Sequence, residues 1–158
     1  MFNGTDTPDI NGVITGFQAM MNFVDAVVTA GSNIQELEYT AFKIRYLCLY
    51  TVLASLRRLH VDTRYPLTIE SKSILLRILD SPEALIVTDP ASKPFRNTLM
   101  HYNLNARVDV SMVDVTQPLF GLVPIYFPSY GAATFAELVD RCVKSAAAIL
   151  NGWAAASR

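Results

Sequence analysis

Hydrophobic positions recur along most of this chain at the three- and four-residue spacing of helices with one buried face. Val13, Phe17, Met20, Val24 and Val27 mark such a face within a helix predicted over Val13 to Ala30, after a loose polar arm from Met1 to Gly12. Gly31 supplies a C-terminal cap, Ser32 or Asn33 caps the next helix, and Glu36 places charge favourably in its first turn. The second helix, about Ile34 to His60, is the longest. Phe42, Ile44, Tyr46, Leu47, Leu49, Tyr50, Val52, Leu53 and Leu56 wrap most of its circumference, which predicts a central helix packed on several sides.

Tyr65-Pro66 marks a turn. Thr68 to Leu79 reads as a shorter helix, with Ile69, Leu75, Leu76 and Leu79 inward and Glu70, Lys72 and Arg77 outward. Asp80-Ser81-Pro82 ends it, and Pro82 suits the first turn of a brief helix through Ile86. Asp89-Pro90 is the next start signal, and Pro94 requires the following helix to begin between Pro90 and Pro94. After Leu104 the period changes. Val108 to Met112 alternates and reads as a strand, with Leu122 to Phe127 as its hairpin partner, although Pro124 keeps the second strand at an edge. A last helix starts near Thr134, where Thr134 and Glu137 have the capping-box spacing. Its stripe is Phe135, Leu138, Val139, Cys142, Val143, Ala146, Ile149, Leu150 and Trp153. The fold class expected is all-α: an up-and-down bundle of about five helices, with a small β-hairpin before the last one, forming a single domain over residues 1–158.

Composition sharpens this picture. With 51% hydrophobic and 17% charged residues the chain is a folding one, not a disordered one. A net charge of −1 gives no global attraction to nucleic acid, so any RNA contact requires a local basic patch. Cys48 and Cys142 lie in apolar helical stretches and read as buried, reduced thiols, not as a zinc site. The N-terminal residues lack the pattern of a signal peptide, and the apolar run Tyr46 to Leu56 is too short to span a bilayer, so a cytoplasmic protein without membrane contact is expected.

Chemistry concentrates in Phe95 to Leu104. Phe95, Leu99 and Tyr102 form a core-facing stripe, which leaves Arg96, Asn97, Met100, His101 and Leu104 on the opposite face. Arginine binds phosphate through a planar fork, and histidine is the side chain suited to proton exchange near neutral pH. Arg96-Asn97-x-x-x-His101 resembles the R-x4-6-H motif of the HEPN superfamily, whose residue after the arginine is usually polar. The resemblance covers this motif and the coarse helix order. It implies a small, commonly dimeric helical bundle and, in many members, metal-independent RNA cleavage of a toxin or defence type. The RNA 2′-hydroxyl would be the nucleophile, His101 the proton carrier, Arg96 the phosphate ligand and Asn97 its aid, with no cofactor. One histidine serves one end of the scissile bond, so a homodimer bringing two motif sets together at a composite site is expected.

Arg57, Arg58 and Arg64, with Tyr102, are further RNA-contact candidates, although cations at a helix end also complement the helix dipole. The aromatics Phe120, Tyr126, Phe127 and Tyr130 read as a cap over the bundle, with base stacking as the alternative. His60 reads as incidental. The rival class is a non-catalytic nucleotide- or RNA-binding module or dimeric scaffold, with Arg96 and His101 merely paired across a helix interface. The resemblance also implies a cognate antitoxin or nucleotidyltransferase as partner. In some toxin pairs of the family the histidine is followed by x-Tyr and that tyrosine is modified; here Tyr102 directly follows His101, which departs from that pattern.

Overall fold

A computed structural model of the protein describes residues 6–28, 38–101, 104, 106 and 108–156. Every regular element among them is helical: α1 (Pro8–Phe23), α2 (Glu38–Val61), α3 (Ile69–Leu79), α4 (Pro82–Thr88), α5 (Lys93–His101), α6 (Leu122–Tyr126) and α7 (Ala132–Ala156), with short 3-10 turns between some of them. No helix of the described residues is long and apolar enough to cross a membrane.

The first helix starts inside the stretch expected to be a loose arm. Pro8 occupies its first turn, and the preceding Asp6 is tied down: its carboxylate accepts the Thr68 amide at 2.8 Å and the Ser71 hydroxyl. With the start at Pro8, Ile10 joins Ile14, Met21 and Val24 on the buried face. Val13 and Met20 of the expected face are 47% and 36% exposed. Two apolar stripes run along α1, and the one that includes Ile10 is the one that packs. A π-helical turn, Val24–Val28, continues it. The Val27 side chain, the expected caps Gly31, Ser32 and Asn33, and Glu36 lie outside the described residues.

Helix α2 is central. It packs on α1, α3, α4, α5 and α7, burying Phe42, Tyr46, Leu49, Val52, Leu53, Leu56 and Leu59. Helix α3 is capped by the Thr68 hydroxyl, which accepts the Ser71 amide at 3.2 Å. Its buried face is Ser71, Leu75, Ile78 and Leu79, whereas Ile69 is 90% exposed and Leu76 38%. Ser71, bonded to Asp6, lies on the buried face, and Ile69 and Leu76 face out. Ser81 caps α4, and Asp89 caps a 3-10 turn, Pro90–Ser92, that leads into α5.

The expected hairpin is not formed. Val110–Met112 is a 3-10 turn and Leu122–Tyr126 is helix α6; no strand occurs among the described residues. Val110 and Met112, which with Val108 supplied the alternation, are 73% and 56% exposed, so no buried face rewards an extended chain. Asp109 accepts the Ser111 amide at 2.9 Å and Asp114 the Thr116 amide at 2.9 Å, turns that compete with a ladder. Between them and α6, Leu119, Phe120 and Gly121 adopt left-handed backbone, with φ of 54°, 56° and 68°.

Helix α7 carries the predicted stripe, with Phe135, Leu138, Val139, Cys142, Val143, Ala146, Leu150 and Trp153 buried. It begins before Thr134, whose hydroxyl donates to the Gly131 carbonyl at 3.0 Å and so does not cap it. The aromatics do cap the bundle. Phe127 stacks on Phe135 with centroids 4.3 Å apart, Tyr126 and Tyr130 lie against Phe95 and Phe135, and Phe120 stacks on Tyr39 at 4.4 Å. Phe95 of the motif helix is central to this cluster, touching Phe42, Tyr46 and Phe135.

Candidate functional site

Helix α5 is held by its inner face. Phe95, Thr98 and Leu99 are buried, and the Thr98 and Tyr126 hydroxyls share a hydrogen bond of 2.6 Å. This anchoring fixes where the remaining positions point. Arg96 is half-buried on the flank facing α2. Its Cζ lies 5.6 Å from the centroid of the Tyr50 ring, within cation–π range, and its Nη1 donates to Asn97 Oδ1 at 2.8 Å. The guanidinium is therefore held on one edge by a neutral amide oxygen and on one face by an aromatic ring, with no carboxylate on it among the described residues. Both contacts leave donors on the fork free for an oxyanion.

The buried Tyr46 hydroxyl lies near Arg96 and beside Ser92. Ser92 commits its own proton to the Val87 and Asp89 carbonyls, at 2.7 and 2.6 Å, and the Tyr46 oxygen finds no partner in hydrogen-bond geometry among the described residues. Burial pushes the Tyr46 phenol well above its ordinary range, and the adjacent Ser92 hydroxyl and, to a smaller degree, the Arg96 charge offset only part of that rise.

His101 is the last residue of α5 and is exposed. Five residues at about 100° each place it ~140° around the helix from Arg96 and ~7.5 Å along it. One chain thus joins Arg96 to Asn97 and Tyr50 and sets His101 on another side. Met100 is 45% exposed, as expected, but Leu104 is not on the open face: it lies beyond the end of α5, half-buried against the core. Tyr102 and Asn103 lie outside the described residues.

The other three arginines separate. The Arg57 Nη2 donates to the Thr88 hydroxyl at 3.3 Å, reaching the end of α4 just before the motif segment. Arg58 turns away and lines a slot of about 300 Å³ with Asp9, Val13, Phe17 and Tyr65. Arg64 is bound to Asp62 at 2.6 Å; this pairing holds the Asp62 carboxyl down at about 2 and raises Arg64 in turn. A depression of about 600 Å³ lined by Met112, Asp114, Gln117, Pro118 and Pro124 includes no motif residue.

Tyr50 is the site residue that sequence reasoning absorbed into the core of α2. A further signal in the sequence was passed over: no acidic residue occurs from Thr40 to Val61 or from Pro90 to Val108, the stretches that supply most of α2 and all of α5. Comparison of the chain with protein-family models, with curated proteins and with solved structures returned no match.

Proposed function

We propose that the protein is a metal-independent endoribonuclease of HEPN type, toxin- or defence-like, working in the cytoplasm as a homodimer of up-and-down helical bundles. The observation that supports this most is the state of Arg96. It is a half-buried arginine oriented by Asn97 and Tyr50, without a carboxylate partner, on the helix that ends in the exposed His101.

In this reading His101 takes the proton of the RNA 2′-hydroxyl, whose oxygen attacks the adjacent phosphorus. Arg96 stabilises the charge that develops on the non-bridging oxygens. A second His101, from the other copy, protonates the departing 5′-oxygen, leaving a 2′,3′-cyclic phosphate and a 5′-hydroxyl. The separation of Arg96 and His101 around α5 favours a site completed across a two-fold axis, with Met100 in the contact. A cognate antitoxin or nucleotidyltransferase belongs to the same reading as the partner that restrains it. The two depressions described are lined by no motif residue, which supports the runner-up: a non-catalytic RNA-binding or scaffold module.

His101→Ala and Arg96→Ala are each expected to abolish cleavage of single-stranded RNA while leaving the helical circular dichroism spectrum intact, and EDTA is expected to leave wild-type cleavage unchanged. A wild type that binds RNA through this face and never cleaves it decides for the binding module.

A further inference from the structure

The charge of this chain is segregated. Although its net charge is −1, the acid-free stretches Thr40–Val61 and Pro90–Val108 contribute only cations, and the helices they form, α2 and α5, pack on each other. Three of those cations fall along the seam between the two helices. Arg96 lies over Tyr50 of α2. Arg57 is seven residues after Tyr50 and so on the same stripe of α2, ~10 Å further along, where it reaches Thr88. Lys93 is exposed, three residues before Arg96 on the same flank of α5, in the stretch of chain between Thr88 and Arg96.

None of the three meets a carboxylate among the described residues, in contrast to Arg45, Arg64, Arg141 and Lys144, each of which is ion-paired. Asp89, the acidic residue on the intervening turn, has its carboxylate engaged by the Ala91 amide at 2.7 Å. Arg57 and Arg96 are held instead by neutral groups, a hydroxyl, an amide oxygen and a ring, which steer a guanidinium without neutralising it.

We propose that the α2–α5 seam is a track for the backbone of single-stranded RNA, in which Arg57 and Lys93 bind phosphates flanking the one held by Arg96. This rests on the ribonuclease reading for the class of ligand and assigns the neighbouring subsites. It also separates Arg57 from Arg58 and Arg64: the first lies on the track, the second faces the α1 slot, and the third is neutralised by Asp62.

The test uses a fluorescein-labelled, fully 2′-O-methylated oligonucleotide, which lacks the attacking hydroxyl and stays intact. Its affinity is followed by anisotropy against salt concentration for the wild type and for Arg57→Gln, Lys93→Gln, Arg58→Gln and Arg64→Gln. These side chains are exposed, and thermal melts confirm that each variant folds. Loss of one phosphate contact on a single strand lowers the slope of log affinity against log salt by about 0.7. That reduction is expected for Arg57→Gln and for Lys93→Gln, with Arg58→Gln and Arg64→Gln unchanged. Unchanged slopes for Arg57→Gln and Lys93→Gln, an equal reduction for Arg58→Gln or Arg64→Gln, or no binding by the wild type each overturns the track. Cleavage of unmodified RNA is measured alongside: cleavage without the slope changes removes the track alone, and the slope changes without cleavage remove the nuclease reading alone.

Discussion

Two buried side chains, Tyr46 beneath the motif helix and Cys142 on α7 beside the start of α4, show how burial sets chemistry one residue at a time. Tyr46 is fully buried, and its hydroxyl has no partner in hydrogen-bond geometry among the described residues, a condition that ordinarily costs about 1–3 kcal/mol. Tyr46→Phe is therefore expected to leave stability in urea unchanged or raise it by up to about 1 kcal/mol; a loss of that size would reveal a bond the geometry lacks. Cys142 is buried as well, and burial lifts its thiol from 9.0 to about 12. Because the folded value is raised, the associated stability is complete below about pH 9 and is lost as pH rises toward 12. Cys142→Ala should flatten that alkaline loss in pH-dependent melts, leaving the part due to Tyr46. At pH 8 a thiol reagent should reach the half-buried Cys48 well before Cys142, which should label only on unfolding.

At the scale of elements, one carboxylate ties the start of α1 to the start of α3. Asp6 accepts from the Thr68 amide and the buried Ser71 hydroxyl, linking positions far apart in sequence. Asp6→Ala is expected to destabilise the fold by about 1–3 kcal/mol in denaturant titration. An unchanged midpoint would mean that the tether carries no load. This long-range contact also explains what the sequence left hidden. Helices α3, α4 and α5 were legible because their signals are local: the break at Asp80-Ser81-Pro82, the start signal at Asp89-Pro90, and Pro82 and Pro94 in first turns. The face of α1 was not, since Val13 and Ile10 head equally apolar stripes and only the tether and the core choose between them. The false hairpin has the same origin. Alternation in Val108–Met112 is a local pattern, and nothing local shows that its apolar residues would stay exposed. Within the site, the exposure of His101 was legible from the stripe of Phe95 and Leu99, whereas the hold of Tyr50 on Arg96 needed the packing of α5 on α2.

At the scale of the whole molecule, the parts the sequence made separately legible lie around one helix, whose outer surface carries an acid-free seam with an oriented arginine on one side and an exposed histidine on another. A two-fold dimer would join that surface to its copy. Light scattering at micromolar concentration should then give about twice the chain mass. Met100→Glu should weaken the dimer and RNA cleavage together, because it places charge in the contact. The most direct test of the shared site mixes wild type with the inactive His101→Ala chain, in EDTA, after exchange of subunits. If each cleavage needs a histidine from both copies, random pairing at equal amounts should lower activity per wild-type chain to about half, and excess variant should lower it further. Activity per wild-type chain that stays constant across the titration, or a wild type with no cleavage to titrate, would contradict the account.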